Sequence, residues 1–223
     1  EPGRPAEEVG EDAAQSLLDN PDGMTWFNSL SWERTSLVDL PEGMQGLQSP
    51  SGQSLPVQSL GDRVFAEVTL PSCGWASFTE GQPKKLENTM HVNERMLEND
   101  LVRVDFNDFG EITRIYDKVN QRQLNIDNCN SLRLYQDIPS AFDAWDIDSM
   151  YRQSPVDLPE KAEISVAAEG PLFGRLVVKR KLNHSTLTQT ITLRRDSRRM
   201  DFHTVIDWQE RHKLLKVNFP VGY

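Results

Sequence analysis

The feature that most constrains this 223-residue chain is a succession of short segments whose apolar residues fall at every second position. In "STLTQTITLRRDSRRMDFHTVIDW", Leu187, Gln189, Ile191 and Leu193 share one face. Met200, Phe202, Thr204 and Ile206 answer them after a turn at Asp196-Ser197. Alternation of this kind marks a strand with one face on a core. "DRVFAEVTLP" repeats it with Val64, Ala66, Val68 and Leu70 and stops at Pro71, and "RTSLVDLP" stops at Pro41. "DLVRVDFNDFGEITRIYDK" reads as a complete hairpin. Val102, Val104 and Phe106 share a face, Asn107 to Gly110 turn the chain, and Ile112, Ile115 and Tyr116 begin the return. "SLRLYQ" adds a strand and "KAEISVAAEGPLFGRLVVKRKL" two more around Gly170-Pro171, whereas "EGMQGLQSPSGQ" reads as a polar loop. Strands at intervals of roughly 8–12 residues with no amphipathic helix between them predict an all-β chain built as a sandwich.

The polar run "EGQPKKLENT" separates two groups of strands. We therefore expect residues 1–23 to be a linker or a frayed helix end, residues 24–86 a small β domain, and residues 87–223 a larger β sandwich. With 37% hydrophobic residues the chain has enough apolar side chains for such cores.

The formal net charge of -10 argues against a nucleic-acid partner, because phosphate backbones demand clustered cations. The one dense basic run, "RRDSRR" at 194–199, falls where a solvated hairpin tip is expected. No stretch reaches the roughly 18 consecutive apolar residues of a membrane helix, and "EPGRPAEEVGEDAAQ" has no signal-peptide pattern, so a cytoplasmic protein with no membrane partner is expected. Cys73 and Cys129 lie in no C-x-x-C pattern and are expected as two buried thiols.

Hydrolytic motifs are missing: no H-E-x-x-H, no G-x-S-x-G and no phosphate-binding glycine loop occurs. His203 and Asp207 fall on one face of a strand, as two metal ligands would, although an exposed polar pair is the commoner reason for such spacing. The remaining candidate is "QDIPSAFDAWDIDSMY" at 136–151. It gathers Asp137, Asp143, Asp146 and Asp148 with Phe142, Trp145 and Tyr151. Paired carboxylates serve glycosidases, clustered carboxylates hold hard cations, and an aromatic ring beside acids stacks on a sugar. The run lacks the regular ligand alternation, central glycine and terminal glutamate of an EF-hand. Large apolar side chains are costly to leave in water, which favours packing or binding over a bare acidic loop.

Taken in order, "WFNSLSWERTSLVDLP", "VTLPSCGWASF", "LENDLVRVDFNDFGEITRIYDKVNQRQL", "LRLYQDIPSAFDAWDID" and "FHTVIDWQERHKLLKVNFP" resemble the C-terminal β region of glycoside hydrolase family 38 α-mannosidases. The resemblance runs from Met24 to the end. It implies a small β domain followed by a galactose-mutarotase-like super-sandwich, incomplete at its C-terminal end. It also implies a parent enzyme that hydrolyses terminal α-mannosides of oligosaccharides with retention. Its zinc ligands and aspartate nucleophile would lie in an α/β domain and helix bundle upstream. This chain would then hold no catalytic residue and no metal, and would support the catalytic domain. Loops of the β region would reach the substrate cleft, so Asp143, Trp145 and Asp146 are expected to line or brace its wall, with Asp137 and Asp148 weaker candidates. Alternatively, Trp145 packs between barrel and sandwich without touching sugar. A free-standing carbohydrate-binding or adhesion sandwich is the second reading of the whole chain. Missing strands would expose sheet edges through which the chain dimerises.

Overall fold

A computed structural model describes residues 23–142 and 145–222. The expected N-terminal linker, but for Gly23, lies outside the described residues, as does Asp143. The chain divides into two compact units between Lys85 and Leu86.

In the first unit β1 (Met24–Asn28), β2 (Arg34–Asp39), β3 (Leu47–Gln48), β4 (Val57–Leu60), β5 (Arg63–Leu70) and β6 (Gly74–Glu80) form two antiparallel sheets, ordered β1-β6-β3 and β2-β5-β4. The inward residues of β5 are those its alternation marks: Val64, Ala66, Val68 and Leu70 are all buried, and Leu47 and Phe78 join them. The stretch expected as a polar loop contains β3. Leu47 pairs with Glu80 and is fully buried. Two residues are too few to show a period. The backbone comes close there because Gly46 has no side chain; a Cβ would stand 2.6 Å from the Gly81 carbonyl oxygen. Cys73 also departs from expectation. It sits exposed on the turn into β6 with φ +45°, while Cys129 is buried, and both are free thiols.

The second unit contains β7 (His91–Asn93), β8 (Met96–Glu98), β9 (Val102–Phe106), β10 (Ile112–Asp117), β11 (Arg122–Gln123), β12 (Ser131–Gln136), β13 (Pro155–Val156), β14 (Glu163–Glu169), β15 (Phe173–Leu182), β16 (Ser185–Arg194), β17 (Met200–Asp207) and β18 (Lys213–Asn218). They form sheets ordered β11-β10-β9-β8-β7, β14-β15-β16-β17 and β13-β12-β18. The core lies between the first two, with Leu97, Val104 and Ile112 meeting Leu176, Ile191 and Leu193. This is the all-β fold class expected, and the β9–β10 hairpin turns at Asn107–Gly110. A register shift between Ile112 and Arg114 explains why the apolar positions of β10 pass from even to odd numbers.

The β16–β17 register matches the alternation residue for residue: Leu187 faces Ile206, Gln189 faces Thr204, Ile191 faces Phe202 and Leu193 faces Met200. Burial follows for only half of β17. Met200 and Phe202 pack on the core, while Ile206 is exposed over an apolar groove of about 290 Å³ between β16–β17 and β12–β18. The basic hairpin tip is held rather than merely solvated, because the buried Asn99 amide donates to the carbonyls of Arg194 and Ser197, both at 2.7 Å.

Candidate functional site

β12 ends at Gln136, and the chain returns to β13 only at Pro155, so the acidic aromatic run is the excursion between two paired strands. Its base is fixed by backbone bonds. Gln136 N–H donates to the Ser154 carbonyl and Asp137 N–H to the His212 carbonyl, both at 2.9 Å. Asp137 and Asp148 close the loop on itself: Asp137 Oδ1 accepts from Asp148 N–H at 2.8 Å, and Asp148 Oδ1 accepts from Met150 N–H at 2.9 Å. Short carboxylates that bond nearby amides in this way build turns, and a short 3-10 helix, Tyr151–Gln153, follows.

At the tip Phe142 adopts φ +56°, a conformation that a bulky residue seldom takes. It turns the Phe142 carbonyl so that Trp145 N–H and Asp146 N–H both donate to it, at 3.0 and 2.9 Å. The rings of Phe142 and Trp145 stack, with centroids 5.6 Å apart and planes 18° from parallel. Even so, Phe142 is 65% exposed and Trp145 76% exposed, so the shelf they form has an open face. Ile138, Ile147 and Met150 stand exposed around it. Of the packing or binding expected of the loop's large side chains, the described residues supply Phe142 and Trp145 with their mutual stack. Asp146 is exposed beside the shelf.

The sequence candidates thus separate. Trp145 and Asp146 come together on an open surface, Asp137 and Asp148 frame the loop, and Asp143 lies outside the described residues. Among the described residues no group of three or more His, Cys, Asp or Glu is placed to hold a metal. His203 and Asp207 are both exposed on β17, and Asp207 instead accepts from Gln209 Nε2 at 2.6 Å.

Sequence reasoning missed the cationic side chains beneath the loop. Tyr151 meets Tyr135 edge to face and accepts hydrogen bonds from Lys216 and Arg152, which together hold its phenol below its ordinary pKa. Only the pairing of β12 with β18 brings these residues into one place. Nothing local in either segment signals it.

The second unit is thus an all-β assembly from which an aromatic and acidic loop projects beyond the core. Residues 97–223 match the family described as "Glycosyl hydrolases family 38 C-terminal domain", and the chain belongs to that family. It is 29% identical over 213 residues to human Alpha-mannosidase 2C1, and 23% identical over 213 residues to Alpha-mannosidase G of Dictyostelium discoideum. These alignments cover 90% and 85% of this chain but 19% of each relative, so the chain spans about a fifth of their length. The crystal structure of a glycosyl hydrolase family 38 protein from Enterococcus faecalis superposes with a TM-score of 0.72, covering 96% of this chain and 35% of that one at 14% identity. An alpha-mannosidase from the same organism gives 0.68, covering 96% and 34% at 14% identity. Both structures share the fold.

Proposed function

We propose that the chain is the β-rich part of a retaining α-mannosidase that releases terminal mannose from oligosaccharides, and that its 137–148 loop forms a wall of the substrate cleft. The observation that carries this reading is the open Phe142–Trp145 stack with Asp146 beside it. A flat ring covers the apolar face of a sugar, and a flanking carboxylate accepts from its hydroxyls. Asp143 belongs to the same proposed wall. In a retaining glycosidase one carboxylate attacks the anomeric carbon and a second carboxyl group protonates the leaving oxygen. We assign both roles, and zinc binding, to residues outside this chain. Trp145 and Asp146 orient substrate and take no part in bond breaking. The two free thiols fit a reducing compartment, and we take the cytoplasm as the site of action.

The test is Trp145→Ala in the full-length enzyme that carries this chain. Loss of one stacking platform should lower kcat/KM for mannosides about tenfold while leaving the unfolding midpoint nearly unchanged. Unchanged kinetics with a large drop in the midpoint would instead show that Trp145 packs against another domain.

A further inference from the structure

The antiparallel register of β12 and β18 sets Arg133 directly opposite Lys216. Like charges facing each other across a strand pair destabilise it. Residues two apart on a strand share a face, so Tyr135 lies on the same side as Arg133, and Asn218 on the same side as Lys216. The 3-10 helix adds Tyr151 and Arg152 to that side. The rings of Tyr135 and Tyr151 meet edge to face at 5.1 Å. The Tyr151 phenol oxygen accepts from Lys216 Nζ at 2.7 Å and from Arg152 Nε at 3.2 Å, and Lys216 Nζ lies 4.8 Å from the ring centre.

The Tyr151 phenol thus gathers two cations, and a third stands across the strands. Among the described residues none of the three forms an ion pair with a carboxylate. Together with Val217 these six residues line a groove of about 350 Å³, and none of its described lining residues is an acid. In a chain of net charge -10, such a groove is a local reversal of sign. Two acids, Glu111 and Asp157, line the adjoining groove that shares Arg133 and Tyr135. Glu111 is committed to Asn107, Asn128 and Ser131 there.

We propose that this groove binds a phosphate monoester. Three converging cations match a dianion, and a guanidinium presents paired donors to its oxygens. A water takes about 30 Å³ of liquid, so the groove exceeds what a bare phosphate fills and has room for an attached sugar ring. The site is independent of the mannosidase reading, because it rests on charge and geometry within β12, β18 and the 3-10 helix alone.

The experiment is a titration of the 223-residue chain at low salt with inorganic phosphate, a hexose 6-phosphate and the unphosphorylated hexose, followed by calorimetry and by amide shifts near residues 133, 151 and 216. Both phosphorylated ligands should bind, and the plain hexose should not. Tighter binding of the hexose phosphate identifies a sugar-borne group, and equal binding identifies free phosphate; either supports the site. Arg133→Gln and Lys216→Gln should each weaken binding about tenfold. Arg198→Gln and Arg199→Gln, at the hairpin tip, should not. Because Arg133→Gln relieves the like-charge pair and gives up no side-chain hydrogen bond among the described residues, its unfolding midpoint without ligand should not fall, which separates lost binding from lost folding. No shift at about 10 mM phosphate, or equal weakening by the hairpin-tip variants, overturns the proposal.

Discussion

Replacing Asn99 by alanine should cost the second unit about 3 kcal/mol, and the figure can be worked from its contacts. Asn99 is completely buried and uses its whole side-chain hydrogen-bonding capacity. Oδ1 accepts from the N–H groups of Leu101 and Val102, both at 2.8 Å, and Nδ2 donates to the carbonyls of Arg194 and Ser197, both at 2.7 Å. Each bond is worth about 0.5–1.5 kcal/mol net, so four bound the loss at about 2–6 kcal/mol. The Val102 N–H lies in the core and incurs its desolvation penalty in full. Ser197 lies at a hairpin tip that water reaches, which recovers part of the loss. Urea unfolding measured by circular dichroism, with amide exchange reporting the two units separately, is the assay. The transition of residues 86–223 should move to lower urea while that of residues 24–85 stays in place. Asn99→Asp should cost at least as much at neutral pH, since it turns two donor contacts into oxygen facing oxygen. A loss below about 1 kcal/mol for Asn99→Ala would refute the reasoning, because it would mean that the hairpin tip is held by something other than this clamp.

Two further outcomes follow from the same structure. Burial pushes the Glu111 carboxyl upward, but hydrogen bonds from Asn107, Ser131 and Asn128 outweigh it and hold the group below the usual glutamate range. A depressed folded pKa means stability present above the unfolded value, about 4.3, and lost as pH falls through the folded one. The stability gap between the wild type and Glu111→Gln should be about 1–3 kcal/mol near neutrality and shrink on acidification in chemical denaturation; a gap constant from neutrality to pH ~3 would contradict it. On the surface, β17 bonds only β16 among the described residues, and Val205, Ile206, Val217 and Phe219 are exposed on β17, on β18 and just beyond them. We expect the chain to self-associate as concentration rises from micromolar to hundred-micromolar, and Val205→Lys with Val217→Lys to abolish it; a monomeric light-scattering mass across that range would count against the edge as a docking surface.

What was legible in the sequence is what depends on period and local turns. The β16–β17 hairpin, its facing pairs and the inward face of β5 all follow from alternation, because a strand with one wet face must place its apolar residues two apart. β3 was not legible, since a two-residue strand carries no period and its burial depends on a glycine contact with a segment far along the chain. The buried Asn99, Asn125 and Asn130 were not legible either, because an asparagine that serves distant carbonyls looks in sequence like one that serves a loop. Nor did "SLRLYQ" and "KLLKVN" announce that Arg133 and Lys216 would confront each other; that follows from register alone.

The acidic aromatic loop shows the same division inside one motif. Four aspartates and an aromatic pair look equivalent as a string, yet the described carboxylates divide their work. Asp137 and Asp148 turn inward to amides of the loop, where the alternative is a set of backbone donors left to fluctuating water. Asp146 is turned outward, and Trp145 is stacked on one ring and open to solvent. A protein that needed these aromatics only for its own core would have buried them, since exposing large apolar side chains costs about 25 cal/mol for each Å². Here the inward carboxylates and the strained Phe142 backbone sustain the exposed pair instead. That expenditure is intelligible when another surface, whether sugar or a neighbouring domain, completes the contact, and the kinetics of Trp145→Ala separate those two occupants.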